Sequence, residues 1–133
     1  MLPTAPLAFT VLIFGYKAAN ISHQEYQHFY EQHVPLAQKL SGPWFPNSHT
    51  RYYSHLNASL AYASAPVDWD SMAVLSFSNE THAFGFSKVL GLPDNAKLIH
   101  KDEERFMVPA TPGRPSPATV IVGPNVRTTT KKS

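Results

Sequence analysis

Short apolar runs alternate with polar breaks along the chain, and the spacing of those runs predicts its elements. Residues 8–17, Ala-Phe-Thr-Val-Leu-Ile-Phe-Gly-Tyr-Lys, are rich in β-branched and aromatic side chains and too brief for a helix, so they read as a buried strand. Ser22 and Glu25 then make a capping-box pair, in which each side chain satisfies a backbone amide at a helix start. The helix they open is expected to run towards Leu40 and stop at Ser41-Gly42-Pro43. Advancing about 100° per residue from Tyr26, the side chains of Phe29, Tyr30, Val34, Ala37 and Leu40 fall on one stripe, with His33 near its centre and His28 on the opposite face. Pro35 sits inside this helix, removes one backbone donor, and is expected to bend or break its last turns.

Beyond the Pro43–Asn47 break, residues 48–57 read as a second strand with Thr50, Tyr52 and Ser54 on one face and Arg51, Tyr53 and His55 on the other. Both faces are amphipathic, so the pattern does not choose the inner one. Residues 58–70 read as a loop and Ser71–Ser78 as a third strand. Asn79 caps a second helix that turns Ala83, Phe84, Phe86, Val89 and Leu90 inward and stops at Gly91. Pro93 opens a further helical stretch to about Lys101, and Arg105–Val108 is expected to be the fourth strand. Residues 111–133, with four prolines, the apolar patch Val120-Ile121-Val122 and a basic end, read as a tail after a domain spanning 1–110. Strand, helix, strand, strand, helix, strand is the order of a ferredoxin-like α+β domain with both helices on one sheet face. Its other face is too apolar for water, so a homodimer joining two sheets is expected.

Composition narrows what such a domain can do. At 133 residues the chain is one domain, and with 15% charged and 43% hydrophobic residues it can bury a core. A net charge of +2 is a poor footprint for nucleic acid, and the third strand lacks the basic-Gly-aromatic-Gly signature of an RNA-recognition sheet. Cysteine is absent, which removes disulfides, thiolate nucleophiles and iron–sulfur ligation. The apolar run Pro6–Tyr16 is too short to span a bilayer and lacks the basic start of a signal peptide, so a cytoplasmic protein is expected. The Asn-x-Ser/Thr triplets at Asn20, Asn57 and Asn79 then carry no meaning.

Seven histidines against nine acids suggest a metal site, but spacing breaks the group up. His23, His28 and His33 each turn about 140° from the last around a helix and cannot converge on one ion, so no metal is expected. A nucleophile elbow and a glycine-rich phosphate loop are both missing. His33, on the inner stripe, is the main candidate for proton transfer at neutral pH. His100, just before Asp102, is a candidate second proton carrier, and Asp102 could orient either histidine or a substrate hydroxyl. His49 and His55, six residues apart, share a face of the second strand. Tyr16, Tyr52 and Tyr53 are candidate phenol donors, and Trp44, Phe45, Phe84 and Phe86 candidate flat walls.

Glu25-x-x-x-Phe29-x-x-x-His33-x-Pro35, followed by Trp44-Phe45 and later by Asp102-Glu103-Glu104-Arg105-Phe106, resembles the EthD family of dimeric α+β barrel proteins over residues 8–110. The likeness is greatest to small fungal members of aromatic polyketide pathways, which act as decarboxylases or dehydratases. It implies a catalytic role for His33, maps the family's acidic residues onto Asp102 and its neighbours, and adds Phe29 to the substrate wall. The implied function is that of a cofactor-free lyase decarboxylating an anthrone- or anthraquinone-type acid. Dehydration or cyclisation of the same substrates, cofactor-independent anthrone oxygenation, and non-enzymatic binding of a small molecule are the alternatives.

Overall fold

A computed structural model describes residues 8–56 and 58–132. Strand β1 (Phe9–Gly15) leads into α1 (His23–Ser41). The expected capping box opens that helix: Ser22 Oγ accepts from the Glu25 amide at 3.0 Å and Glu25 Oε1 accepts from the Ser22 amide at 2.9 Å. The helix is continuous across Pro35 and closes on Gly42, whose φ of 56° lies in the left-handed region that glycine tolerates. A 3-10 turn (Gly42–Trp44) precedes β2 (Ser48–Tyr53), and one turn of helix, α2 (Ala58–Ala61), interrupts the expected loop before β3 (Ser71–Phe77). Then follow α3 (Glu80–Leu90), capped by Asn79 as expected, α4 (Pro93–Glu103) and β4 (Ala118–Gly123).

The four strands form one antiparallel sheet in the order β2-β3-β1-β4, with the helices on one face, which is the ferredoxin-like arrangement. One expectation is overturned. The fourth strand is not Arg105–Val108 but Ala118–Gly123, inside the segment read as a tail. Arg105–Val108 follows directly on α4 and makes only a single bridge, Lys17 to Met107, flanked by Ala18 N to Phe106 O at 2.8 Å and Val108 N to Tyr16 O at 3.0 Å. Its apolar side chains are core rather than sheet: Phe106 and Met107 are buried with Tyr26 and Tyr30 of α1. The edge of β1 stays free for β4, which pairs Val11 with Ile121 and Ile13 with Thr119.

Register sorts the two sheet faces. Phe9, Val11 and Ile13 stand opposite Phe77, Leu75 and Ala73 and face the helices, where Ala83 and Phe86 of α3 close the cluster. Burying each large side chain there contributes about 1.5–3 kcal/mol. Tyr26 Oη and Ser71 Oγ, 2.7 Å apart and fully buried, tie α1 to β3. On the opposite face Leu12 stands against Val74 and Val120, and Phe14 against Met72, leaving an apolar surface with Tyr52 and Val120 exposed at its edges. Phe84, expected inward, is half exposed at the rim of the helix layer, edge-on to Phe9.

Candidate active site

His33 reaches its position because α1 turns its inner stripe towards the end of α4. The ring is 8% exposed and packs edge-on against Tyr30 and Phe106. Nδ1 lies 2.7 Å from Asp102 Oδ2, so this nitrogen carries the proton and donates to the carboxylate. Asp102 is held in turn by Arg105, whose Nε and Nη2 donate to Oδ1 at 2.8 and 2.7 Å. Arg105 lies over the Phe29 ring at 4.9 Å. These contacts leave His33 Nε2 as the free acceptor, aimed at Glu103 Oε2 across 4.0 Å.

Glu103 is the residue that the sequence reading missed. Its other oxygen, Oε1, accepts from His100 Nδ1 at 3.0 Å, a pairing one helical turn apart on α4. Burial pushes the Glu103 carboxyl above its usual range, and the nearby Asp102 charge adds to this, while His33 and His100 oppose it. A carboxyl displaced upward by burial and flanked by two imidazoles is suited to exchange a proton with them. Asp102, Glu103 and Glu104 look in sequence like a solvated acidic turn, and only the tertiary position of the middle residue separates it from its neighbours.

Glu103 also opens onto free space. An outer hollow of about 680 Å³ lies between Ala18–Asn20 and the end of α4. An inner chamber of about 520 Å³ lies between the sheet and helices α3 and α4, walled by Val11, Ile13, Leu75, Phe77, Phe84 and Phe86 among others. Glu103, His100, Ala110 and Ser116 line both. Both hollows fall within the size range of small-molecule sites, about 300–1,000 Å³. His33 and Asp102 line neither and stand behind Glu103.

Of the residues expected to contact substrate, the chamber takes Phe84 and Phe86 and leaves the others elsewhere. Tyr16 lies beneath the Arg114 guanidinium at 4.7 Å, and Phe29 beneath Arg105. Trp44 packs against α3 at Gly85, where an added Cβ would collide with its ring. Phe45 stacks on His49, both outside the two hollows. His49, Arg51 and Tyr53 form the helix-side face of β2, which the sequence could not choose; Tyr52 points to the other face. Burial and the neighbouring Arg51 push the His49 imidazole down to about 4, so it is neutral and its Nδ1 accepts from Arg51 Nη1 at 3.0 Å. Arg51 also forks onto Glu31 at 2.6 and 3.0 Å, and Tyr53 Oη donates to Glu31 at 2.6 Å.

His55 does not share the His49 face, because β2 ends at Tyr53 and the chain turns away. It stacks on His23 at 4.3 Å, beside a third hollow of about 470 Å³ that also touches Asp70, Tyr26 and Tyr53. His82 is half buried: Nδ1 accepts from the Ser78 amide at 3.1 Å, so Nε2 donates to the Phe45 carbonyl at 3.0 Å. Among the described residues no three His, Asp or Glu side chains are grouped to hold a metal ion, and no helix is long and apolar enough to cross a membrane.

Residues 18–110 match the family model of the EthD domain. No curated protein matches the chain. The chain is similar to several solved structures, three of which follow. A dimeric protein of unknown function and ferredoxin-like fold from Bacteroides fragilis aligns over 87% of this chain and 93% of its own, at 7% identity and a TM-score of 0.50. An ethyl tert-butyl ether D (EthD) family protein from Bacillus halodurans aligns over 74% and 87%, at 14% identity and a TM-score of 0.47. A dimeric ferredoxin-like protein of unknown function from Thermobifida fusca aligns over 92% and 94%, at 13% identity and a TM-score of 0.48.

Proposed function

Since the chain belongs to the EthD domain family, we propose that it is a cofactor-free lyase of aromatic polyketide metabolism, and that it decarboxylates an anthrone- or anthraquinone-type ortho-hydroxy acid at Glu103. The observation that carries this reading is a carboxyl whose hold on its proton is strengthened by burial, opening onto an apolar chamber and lying between two histidines. Glu103 delivers its proton to the ring carbon that bears the carboxylate. The carbon–carbon bond then breaks, its electrons restore the aromatic ring, and carbon dioxide leaves. The substrate's negative charge passes to Glu103, where His100 holds it. Apolar walls favour this order, because a carboxylate desolvated without a cation is raised in energy relative to neutral carbon dioxide.

His33 acts on Glu103 from behind. With Nδ1 tied to Asp102, its Nε2 accepts or returns a proton once the 4.0 Å gap shortens, as catalytic hydrogen bonds commonly do on substrate binding. His100, largely exposed, connects Glu103 to solvent and restores the proton lost in each cycle. The same pair supports a second reading: ionised Glu103 removes a proton beside a carbonyl while protonated His100 gives one to the departing hydroxyl, which is a dehydration. The apolar sheet face of Leu12, Phe14, Met72 and Val74 supports a homodimer, with a cytoplasmic protein still the expectation.

The test is incubation with a hydroxyanthraquinone carboxylic acid under nitrogen and under oxygen, followed by mass spectrometry. Loss of the mass of carbon dioxide without oxygen supports decarboxylation, and loss of the mass of water supports dehydration. Turnover that needs oxygen identifies a monooxygenase instead. Binding without turnover, unchanged in His33→Ala, identifies an accessory binding protein.

A further inference from the structure

Four residues line both hollows and frame a slot at their boundary, whose sides differ in kind. One side is α4, which presents His100 and Glu103; the other is the strap Pro109–Pro117, which presents Ala110 and Ser116, two of the smallest side chains available. The strap is pinned rather than loose. Ser116 Oγ donates to the Val108 carbonyl at 2.6 Å, and Thr111 and Arg114 exchange backbone bonds of 3.0 and 2.9 Å around Gly113, whose φ is 81°. Arg114 lies over the Tyr16 ring. Among the described residues no lysine or arginine lines either hollow, so recognition there rests on shape more than on charge.

We propose that Ala110 and Ser116 are the specificity-determining positions of this site. A flat polycyclic acid lies across the slot with its rings in the inner chamber, its reacting carbon beside Glu103 and its polar substituents in the outer hollow. A side chain larger than these two would close the slot to a molecule that must span both hollows, and would spare one small enough to occupy the outer hollow alone. The inference rests on the reading of Glu103 as the reaction centre, and it names the feature that fits that centre to extended substrates. Filling a pocket by one methylene-sized group typically changes selection by about 10–200-fold.

The test uses two probes with the full-length protein. Binding of 1,8-dihydroxyanthraquinone-2-carboxylic acid and of 2-hydroxybenzoate is measured by calorimetry for wild type, Ala110→Phe and Ser116→Thr. Ala110 is exposed, and the threonine keeps the hydroxyl that holds Val108, so the fold survives at least one of the two changes. Ala110→Phe is expected to weaken the three-ring probe at least tenfold and leave the one-ring probe unchanged, and Ser116→Thr to act in the same direction more weakly. Equal weakening of both probes, or no change in either, overturns the proposal. If the selective loss is seen but no variant, wild type included, turns over any acid, the slot stands and the lyase reading falls.

Discussion

His33 meets Asp102 at 2.7 Å with 10% and 19% of the two side chains exposed, whereas His23, at the start of the same helix, lies 3.7 Å from Asp70 with 44% and 22% exposed. The residue types are identical and the settings are not. Asp102 has Arg105 to fix it, and the far nitrogen of His33 looks at a buried carboxyl beside a cavity. Asp70 spends its other oxygen on the Lys17 amide at 2.7 Å, and His23 stacks on His55 beside a hollow that holds no second carboxylate. A histidine–aspartate pair becomes a proton-transfer device through what faces the second ring nitrogen, and the pair alone does not provide it.

Substitutions along α1 and beneath it test that contrast. His33→Ala is expected to lower kcat by about 10²–10⁴, the range for losing one acid–base participant; turnover of the folded variant within threefold of wild type would place the two pairs on the same footing. Gly15→Ala strikes between them, since a Cβ there would collide with Tyr26 Oη and Ser71 Oγ and unseat α1 from β3. A loss of about 1–3 kcal/mol, read from denaturant midpoints, is expected.

Glu103→Gln sharpens the electrostatic half of the comparison. The folded protein keeps a proton on Glu103 that the unfolded chain releases, so this residue favours folding at acid pH, and that contribution is lost as pH rises through the raised folded value. The variant is therefore expected to raise Tm at neutral pH and to match wild type below the ordinary glutamate range of about 4.3. A Tm difference that does not vary with pH would mean that Glu103 is not displaced. The smallest effect belongs to the exposed end: His23→Ala should cost less than about 1 kcal/mol and leave kcat untouched.

Local chemistry made much of this readable in advance. The Ser22–Glu25 box, the Asn79 cap and the stripe through Tyr26, Tyr30 and His33 depend on residues within a few positions of one another, so their spacing was sufficient. What failed was non-local. Val120-Ile121-Val122 sits between prolines and reads as a tail until β1 is seen to offer it an edge, and Arg105–Val108 has strand-like residues that the core claims instead. At the site the same division holds. His33 was visible on its helical face, but nothing in an Asp-Glu-Glu run distinguishes the residue turned inward, and Trp44 and Phe45 have the makings of a substrate wall while packing on α3 and His49.

The pairing of β4 with β1 also orders events during synthesis. β1 leaves the ribosome before the other three strands and β4 after them, so the outer edge of β1 stays uncovered until every element between the two has been made. Until Ala118–Gly123 emerge, the nascent protein presents Phe9–Gly15 as an unpaired apolar edge, open to strand exchange with neighbouring copies. A chain ended at residue 110 would keep that edge for life, and its fate would be decided by aggregation or chaperone capture.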